Sequence, residues 1–436
     1  MSPSNDERMT RFLIFYLLTL PFWGLSASDM PRATNGVLDA RSYDFHTGGS
    51  LVLNGDWLFQ PDAFVAPQDS LVAKHLQLVP GAWKKTVHYG TYRLLVLLPK
   101  SHRKLALKTG DIATAFRLYV NRQHLLSGGK PSKNPQLTKS AYVHAIKSFE
   151  ASDSLWITIH VSNAENVVGG ISGVIQLGEE TELNRATANS SMLGFLITGA
   201  MLLCGLFHIG FGFFRKRNFY HFYYAGTCLL MSLHFFCMNE RWLYGFLGEG
   251  NWALALKIEL ISIIASLFLM QKTAEFFFGI RRGRLFNWIS GVFWFGQIVL
   301  IIVVPITLGS RMVSFIPYDA VAIAVYITAV SAMAFRLKKE GSLAIFVCSA
   351  VMSLVVLSDL LFVHQHVGGL IASHYGLFFY ALYLTFVLSR QTAFAFKQAR
   401  FFSEQLQIAN AALEVQNENL ENLVSRRTQQ LLETEQ

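Results

Sequence analysis

Residues 192–217 read MLGFLITGAMLLCGLFHIGFGFFRKR, and this stretch decides the fold. From Met192 to Phe214 it holds no Asp, Glu, Lys or Arg, and it closes on Arg215-Lys216-Arg217. A helix rising ~1.5 Å per residue needs about 20 apolar residues to cross ~30 Å of hydrocarbon. Basic residues just beyond such a run favour the cytoplasmic side. Outward from here the pattern recurs, with apolar stretches near 190–214, 219–239, 253–276, 286–308, 312–335, 342–363 and 370–390. The turns after the first, third and fifth carry Arg215-Lys216-Arg217, Arg281-Arg282 with Arg284, and Arg336 with Lys338-Lys339. Those after the second, fourth and sixth hold chiefly Arg241 and Arg311. The alternation predicts a seven-helix transmembrane bundle over 186–390, with the segment before it outside and the C-terminus inside.

Composition agrees. The chain of 436 residues is 52% apolar and only 15% charged, against roughly 25% charged for soluble domains, which excludes an ordinary soluble enzyme. The net charge of +9 is concentrated at alternate turns, so it records topology rather than an acidic partner. Basic residues before the bundle are not striped with aromatics, and no nucleic-acid partner is expected. Cys204, Cys228, Cys237 and Cys348 all lie in apolar runs and suggest neither a disulfide framework nor a zinc site.

Phe12 to Trp23 form a short apolar run behind Arg8 and Arg11, trailed by Gly24, Ser26, Ala27 and Ser28. This is the order of a signal peptide, placed at 1–28, and an uncleaved anchor is the alternative. Either one exports the next domain. In that domain, at 29–185, the period becomes two: Tyr92, Leu94, Val96 and Leu98 alternate, as do Phe116, Leu118 and Val120, then Leu155, Ile157, Ile159 and Val161. The alternation predicts half-buried antiparallel strands of an all-β sandwich. Asn54-Gly55-Asp56-Trp57 reads as a turn feeding a strand, with Trp57 in the core, and Val79-Pro80-Gly81-Ala82-Trp83 as a rigid bend. Trp83, Tyr89, Arg93 and Arg117 are the ligand-binding candidates, because an aromatic plane beside a guanidinium fork suits a polar organic ligand. Strand arginines that pair with neighbouring groups are the plainer alternative.

In the bundle, His234, Glu259, Asp319, Asp359 and His374 fall about four to seven residues inside the outer span ends, or ~6 to 10 Å deep. Charged groups in hydrocarbon usually face the bundle interior, so a shared outward-opening polar pocket is expected, with a wet vestibule as the alternative. Lys257, Lys272 and Glu275 stand near span ends and are expected to snorkel. The tail, 391–436, has no Pro or Gly. Leu406, Leu413 and Leu420 repeat every seven residues, which puts Asn410, Asn417, Val424 and Leu431 at the a positions of a coiled coil. Asparagine at a favours a defined parallel pair of helices, so a parallel homodimer is expected, and a continuous helix would reach on the order of 65 Å into the cytoplasm. HExxH, GxGxxG, Walker and GxSxG patterns are absent, and Gly169-Gly170-Ile171-Ser172-Gly173 reads as a turn, so neither catalysis nor a cofactor or metal is expected.

The order of parts resembles the bacterial seven-transmembrane receptors with diverse intracellular signalling modules. The likeness rests on Leu53-Asn54-Gly55-Asp56-Trp57, Val79 to Trp83, Gly90-Thr91-Tyr92-Arg93 and Arg117-Leu118-Tyr119-Val120-Asn121. In the bundle it rests on Arg217 to Tyr224 and on Asn239-Glu240-Arg241-Trp242-Leu243-Tyr244. In the tail it rests on Leu413, Asn417, Leu420-Glu421, Val424, Arg427-Thr428 and Leu431. Arg122 stands where a Gly after the Asn is common in that family. The resemblance implies a galactose-binding-like jelly roll outside a bacterial cytoplasmic membrane, a ligand that is an extracytoplasmic small molecule such as a sugar, and a signalling helix that feeds a kinase or cyclase module. Three classes stay open: a receptor, a scaffold that recruits a separate kinase or cyclase, and a transporter, although the internal repeat expected of a transporter is missing.

Overall fold

In the computed structural model, residues 30–72, 75–83, 87–100, 103–163, 169–214, 219–280, 283–339, 341–365 and 372–434 are described. The signal segment, Arg215 to Arg217 and Arg281-Arg282 lie outside these residues.

The three alternating runs become the central strands of one sheet. Its strands are β1 (Val37–Asp39), β3 (Gly55–Pro61), β4 (His75–Val79), β6 (Tyr89–Leu97), β9 (Ala115–Val120), β10 (Gln123–Gly128) and β12 (Ser154–Ser162). They run in the order β10-β9-β12-β6-β3-β4, with β1 parallel to β6. A second sheet is built from β2 (Leu51–Val52), β7 (Arg103–Lys108), β11 (Ile146–Ala151) and β14 (Gln176–Gly178), in the order β11-β7-β14-β2. A small third sheet joins β5 (Gly81–Ala82), β8 (Ile112–Ala113) and β13 (Gly170–Ile171). Period-two alternation aims Tyr92, Leu94, Val96, Phe116, Leu118, Ile157 and Ile159 at one face, where they bury fully in one core with Leu105 and Leu107 of the second sheet. Trp57 is in that core, its indole N–H donating to the Leu53 carbonyl at 3.1 Å. The domain is a β-sandwich.

The other face of the large sheet is polar and carries residues 62–71 as a strap. Thr91 Oγ1 donates to the Ala63 carbonyl at 2.7 Å and accepts from the Val65 N–H at 2.9 Å. His160 Nε2 lies 2.8 Å from the Val65 carbonyl, and Arg93 donates to the carbonyls of Asp69 and Ala66 at 2.5 and 3.0 Å. These bonds satisfy backbone groups that a sheet-covering loop would otherwise leave unpaired.

The helices come next in the chain: α1 (Glu180–Phe214), α2 (Tyr220–Met238), α3 (Trp242–Leu247), α4 (Trp252–Phe278), α5 (Arg284–Val303), α6 (Ile316–Arg336), α7 (Ser342–Gln365) and α8 (Ala372–Thr434). Among the described residues α1, α4, α5, α6 and α7 are long and apolar enough to cross a membrane. Helix α2 has the length but mixes its apolar residues with His221, Tyr224, Thr227, Ser232 and His234, all buried. Helix α4 is the enclosed one: half of its most apolar stretch is buried, against 11% for α5, whose Trp288 and Phe295 point outward. Small and hydroxyl residues let neighbours approach closely, as where Ser232 bonds the Thr198 carbonyl between α2 and α1, and Thr328 bonds Ser353 between α6 and α7.

Residues 382–436 form a separate compact unit, helical to Thr434. Leu406, Leu413, Leu420, Val424 and Leu431 are each more than half exposed in the single chain.

Candidate functional site

The site lies where the β-domain meets the turn between α2 and α3. Glu240 and Arg241 both adopt left-handed backbone, with φ of 43° and 56°. Neither is glycine, so the pair costs roughly 1–2 kcal/mol per residue, and the contacts these side chains make must offset that. Gly194 of α1 makes room for the turn, since a Cβ there would run into the side-chain amide of Asn239.

Arg241 is shared between two carboxylates from different parts of the chain. Its Nη2 donates to Asp111 Oδ2 at 2.9 Å and its Nε to Asp111 Oδ1 at 3.3 Å, while Nη1 donates to Glu259 Oε2 at 3.0 Å. Asp111 belongs to the β-domain and Glu259 to α4, so one planar fork ties the sandwich to the bundle. The guanidinium also lies over the rings of Tyr142 and Tyr244, 5.2 and 5.3 Å from their centroids. Tyr244 Oη donates to the same Glu259 oxygen at 2.6 Å. Beside this, Lys108 Nζ donates to Glu240 Oε1 at 2.9 Å. His144 stands between the acids, Nε2 2.8 Å from Asp111 Oδ1 and Nδ1 3.5 Å from Glu240 Oε2.

Local structure sets these positions. Gly173 lets the Asp111 backbone come against it, and the N–H groups of Ser172 and Gly173 donate to the Asp111 carbonyl at 3.0 and 2.7 Å. The glycine-rich stretch, expected as a turn, is instead strand β13 at Gly170–Ile171 followed by a bend at Gly173 that aims Asp111. Burial by itself would raise the Asp111 carboxyl, but Arg241 and then His144 hold it well below the usual carboxylate range. Glu240 is likewise lowered, with burial opposed by His144 and Lys108. His144 is raised: burial would lower it, but its bonds to Asp111 and Glu240 outweigh that. Burial first, then Glu259, pushes the Tyr244 phenol up, which keeps it a donor.

Of the five pocket candidates, the structure brings His234 and Glu259 together around Arg241. Asp319 on α6 is bonded with Gln297 of α5 instead. Asp359 is half-buried on α7, and the side chain of His374 lies outside the described residues. In the β-domain Trp83 is buried and packs with Phe59 and Tyr92, Tyr89 packs on Phe64, Arg93 is held by the strap carbonyls, and Arg117 is exposed beside His160. Lys272 and Glu275 do not snorkel as expected. Both are buried on α4 and paired at 2.9 Å, with Lys272 also donating to Asn287 at 3.0 Å, and with Gln271 and Tyr326 donating to Glu275 at 2.9 and 2.7 Å. Helix α4 has too many neighbours for a lysine stem to reach its end. Sequence reasoning missed Lys108, Asp111, Tyr142 and His144. The one sign of them was the charged turn Glu240-Arg241 between two apolar spans.

A sandwich joined by partly buried ion pairs to a set of membrane-length helices defines the class: a multi-pass membrane protein with a folded domain seated on the bundle. The family described as 7TM diverse intracellular signalling matches residues 190–391, the stretch that holds the helices. Part of the chain is similar to a β-glucuronidase from Ruminococcus gnavus, at 12% identity over 29% of this chain and 28% of that one, TM-score 0.23. A family 2 glycosyl hydrolase from Bacteroides cellulosilyticus DSM 14838 matches at 13% identity over 30% and 20%, TM-score 0.24. A β-glucuronidase from an uncultured Clostridium sp. matches at 14% identity over 29% and 28%, TM-score 0.23. The chain spans less than a third of each of these enzymes. No curated protein matches the sequence.

Proposed function

We propose that the protein is a transmembrane signal receptor of the bacterial cytoplasmic membrane, with seven spans, the sandwich outside and the C-terminal helix inside. The sandwich, a galactose-binding-like jelly roll in this reading, takes an extracytoplasmic small ligand, with carbohydrate the leading class. The bundle relays occupancy to a parallel pair of C-terminal helices, and these drive an output module, either a further domain or a partner kinase or cyclase. No catalysis is assigned to the chain itself. The match of residues 190–391 to the signalling family supports the reading. The single observation that carries it is the sharing of Arg241 between Asp111 of the sandwich and Glu259 of α4, since a domain held by few, directional ion pairs can be re-aimed by a small change in either partner. The exposed apolar positions at Leu406, Leu413 and Leu420, with Asn410 and Asn417 between them, support the pairing of two copies.

The test uses the full chain in membranes with Leu413→Cys or Leu420→Cys as crosslinking sites. Each is expected to give a symmetric crosslinked dimer, and Arg241→Gln is expected to change the ratio of the two yields. Absence of any crosslink would remove the dimer. Yields that ignore Arg241→Gln would remove the junction from the relay.

A further inference from the structure

At the junction three carboxylates, Asp111, Glu240 and Glu259, meet two permanent cations, Lys108 and Arg241. His144 decides whether the charges balance. Both of its ring nitrogens face carboxylate oxygens, Nε2 at 2.8 Å from Asp111 and Nδ1 at 3.5 Å from Glu240. A neutral imidazole has only one N–H, so one ring lone pair would then point at a carboxylate oxygen. An imidazolium has two donors for two acceptors, and it brings the cluster to three positive groups against three negative ones. We propose that the junction is itself a sensor of extracytoplasmic proton activity: His144 seats the sandwich on the bundle when protonated and releases it when neutral. The proposal rests on the reading of this junction as the relay.

Every element packed here presents its charge or titratable group. Lys108 comes from β7, Asp111 from the loop before β8, Tyr142 from the segment of His144 itself, Glu240 and Arg241 from the turn, Tyr244 from α3 and Glu259 from α4. His234 and Cys237 of α2 lie within the field of Arg241. Of the groups here whose ionisation is shifted, Arg241 and Tyr244 are raised and stay a cation and an O–H donor, which leaves His144 as the one on the sandwich side that changes charge around neutral pH. The imidazole is side-chain exposed to 17%, enough to exchange protons with water. Its ionisation is raised in the seated state, so the stabilising contribution is complete below the ordinary histidine value of ~6.5 and disappears as pH rises through the higher seated value. The two depressed carboxylates act in the opposite sense, their contribution present above the usual carboxylate range and lost as pH falls through the lowered values.

Hydrogen–deuterium exchange of the full chain in phospholipid nanodiscs reads this directly, through peptides covering 106–114 and 141–147. In the wild type, protection corrected for intrinsic rate is expected to fall from about pH 6 to about pH 9 as the raised His144 gives up its proton. His144→Arg is expected to hold its protection across the same interval, and His144→Gln to show low protection throughout. A flat wild-type profile overturns proton sensing, as does a His144→Gln protein that keeps the wild-type profile. If His144→Gln does not fold, wild type against His144→Arg still decides. A seated junction that responds to pH while the Leu413→Cys and Leu420→Cys yields ignore both pH and Arg241→Gln keeps the proton site and overturns the relay instead.

Discussion

Helix α4 carries two polar clusters, and they are built on opposite principles. The one at Glu275 is local and closed: Lys272 pairs with Glu275 three residues on, Gln271 bonds it from four residues back, and α5 and α6 add Asn287, Ser290, Trp294 and Tyr326. The one at Glu259 is assembled from afar. Arg241 joins it to Asp111, 130 positions away in sequence, and its side chains keep 10 to 29% of their exposure. A salt bridge within one helix forms whenever the helix forms and has nowhere to go. A bridge between two domains opens when either one moves, and water can reach the parted charges. In the proposed relay the cluster at Glu275 fixes helix packing, and the one at Glu259 is the movable contact.

The sharpest way to break this contrast is Lys272→Met. It leaves Glu275 buried without its cation, a change that costs about 3–5 kcal/mol when a buried pair loses one partner. The melting temperature of the solubilised full chain should fall accordingly, and the double change Lys272→Met with Glu275→Leu should recover most of the loss. A small effect of the single change would mean that the cluster at Glu275 is as wet as the one at Glu259.

Asp111→Asn should cost less, about 1–3 kcal/mol, because the amide keeps the shape and water can reach what is left behind. Its loss should be local: faster exchange over 106–114 and 141–147 with the melting of the helices unchanged. A drop in helix melting as large as that of Lys272→Met would erase the distinction between the two clusters. The acid side gives a check of sign. Asp111 and Glu240 are depressed when seated, so their contribution is present above the usual carboxylate range and lost only as pH falls through the lowered values.

The sequence made some of this plain and hid the rest, for physical reasons. Strands β6, β9 and β12 were readable because burial on one face imposes strict alternation, and Tyr92, Phe116 and Ile157 had nowhere else to point. The helices were readable because hydrocarbon tolerates so few polar groups. Glu259 could be singled out for the same reason, as a charge at membrane depth. Its partners could not: Asp111 and His144 sit in loops, where a charged residue is unremarkable, and only the fold brings them to Arg241. Lys272 and Glu275 were misread because distance from the span end was counted and enclosure was not. Arg93 was noticed for its guanidinium, but the carbonyls of Ala66 and Asp69 that hold it belong to a loop with no pattern to read.

The smallest expected effect completes the comparison by moving to the tail. Arg400 donates to Glu404 at 3.1 Å one helical turn away, with side-chain exposures of 84% and 57%. At that exposure the Coulomb gain is screened by solvent, and holding two long side chains in one geometry costs about as much as the pair returns, so such i,i+4 pairs contribute about 0.3–0.5 kcal/mol. Glu404→Gln should therefore leave the helicity of the tail within error of the wild type, and in the full chain it should leave the Leu413→Cys crosslink unchanged. The same replacement of Glu by Gln at Glu275 or Glu259 removes a charge that low-dielectric neighbours have already committed to a partner. If Glu404→Gln weakens the crosslink as strongly as Arg241→Gln alters it, the tail pair is buried in the dimer, and the seam must be re-registered to bring residue 404 to the interface.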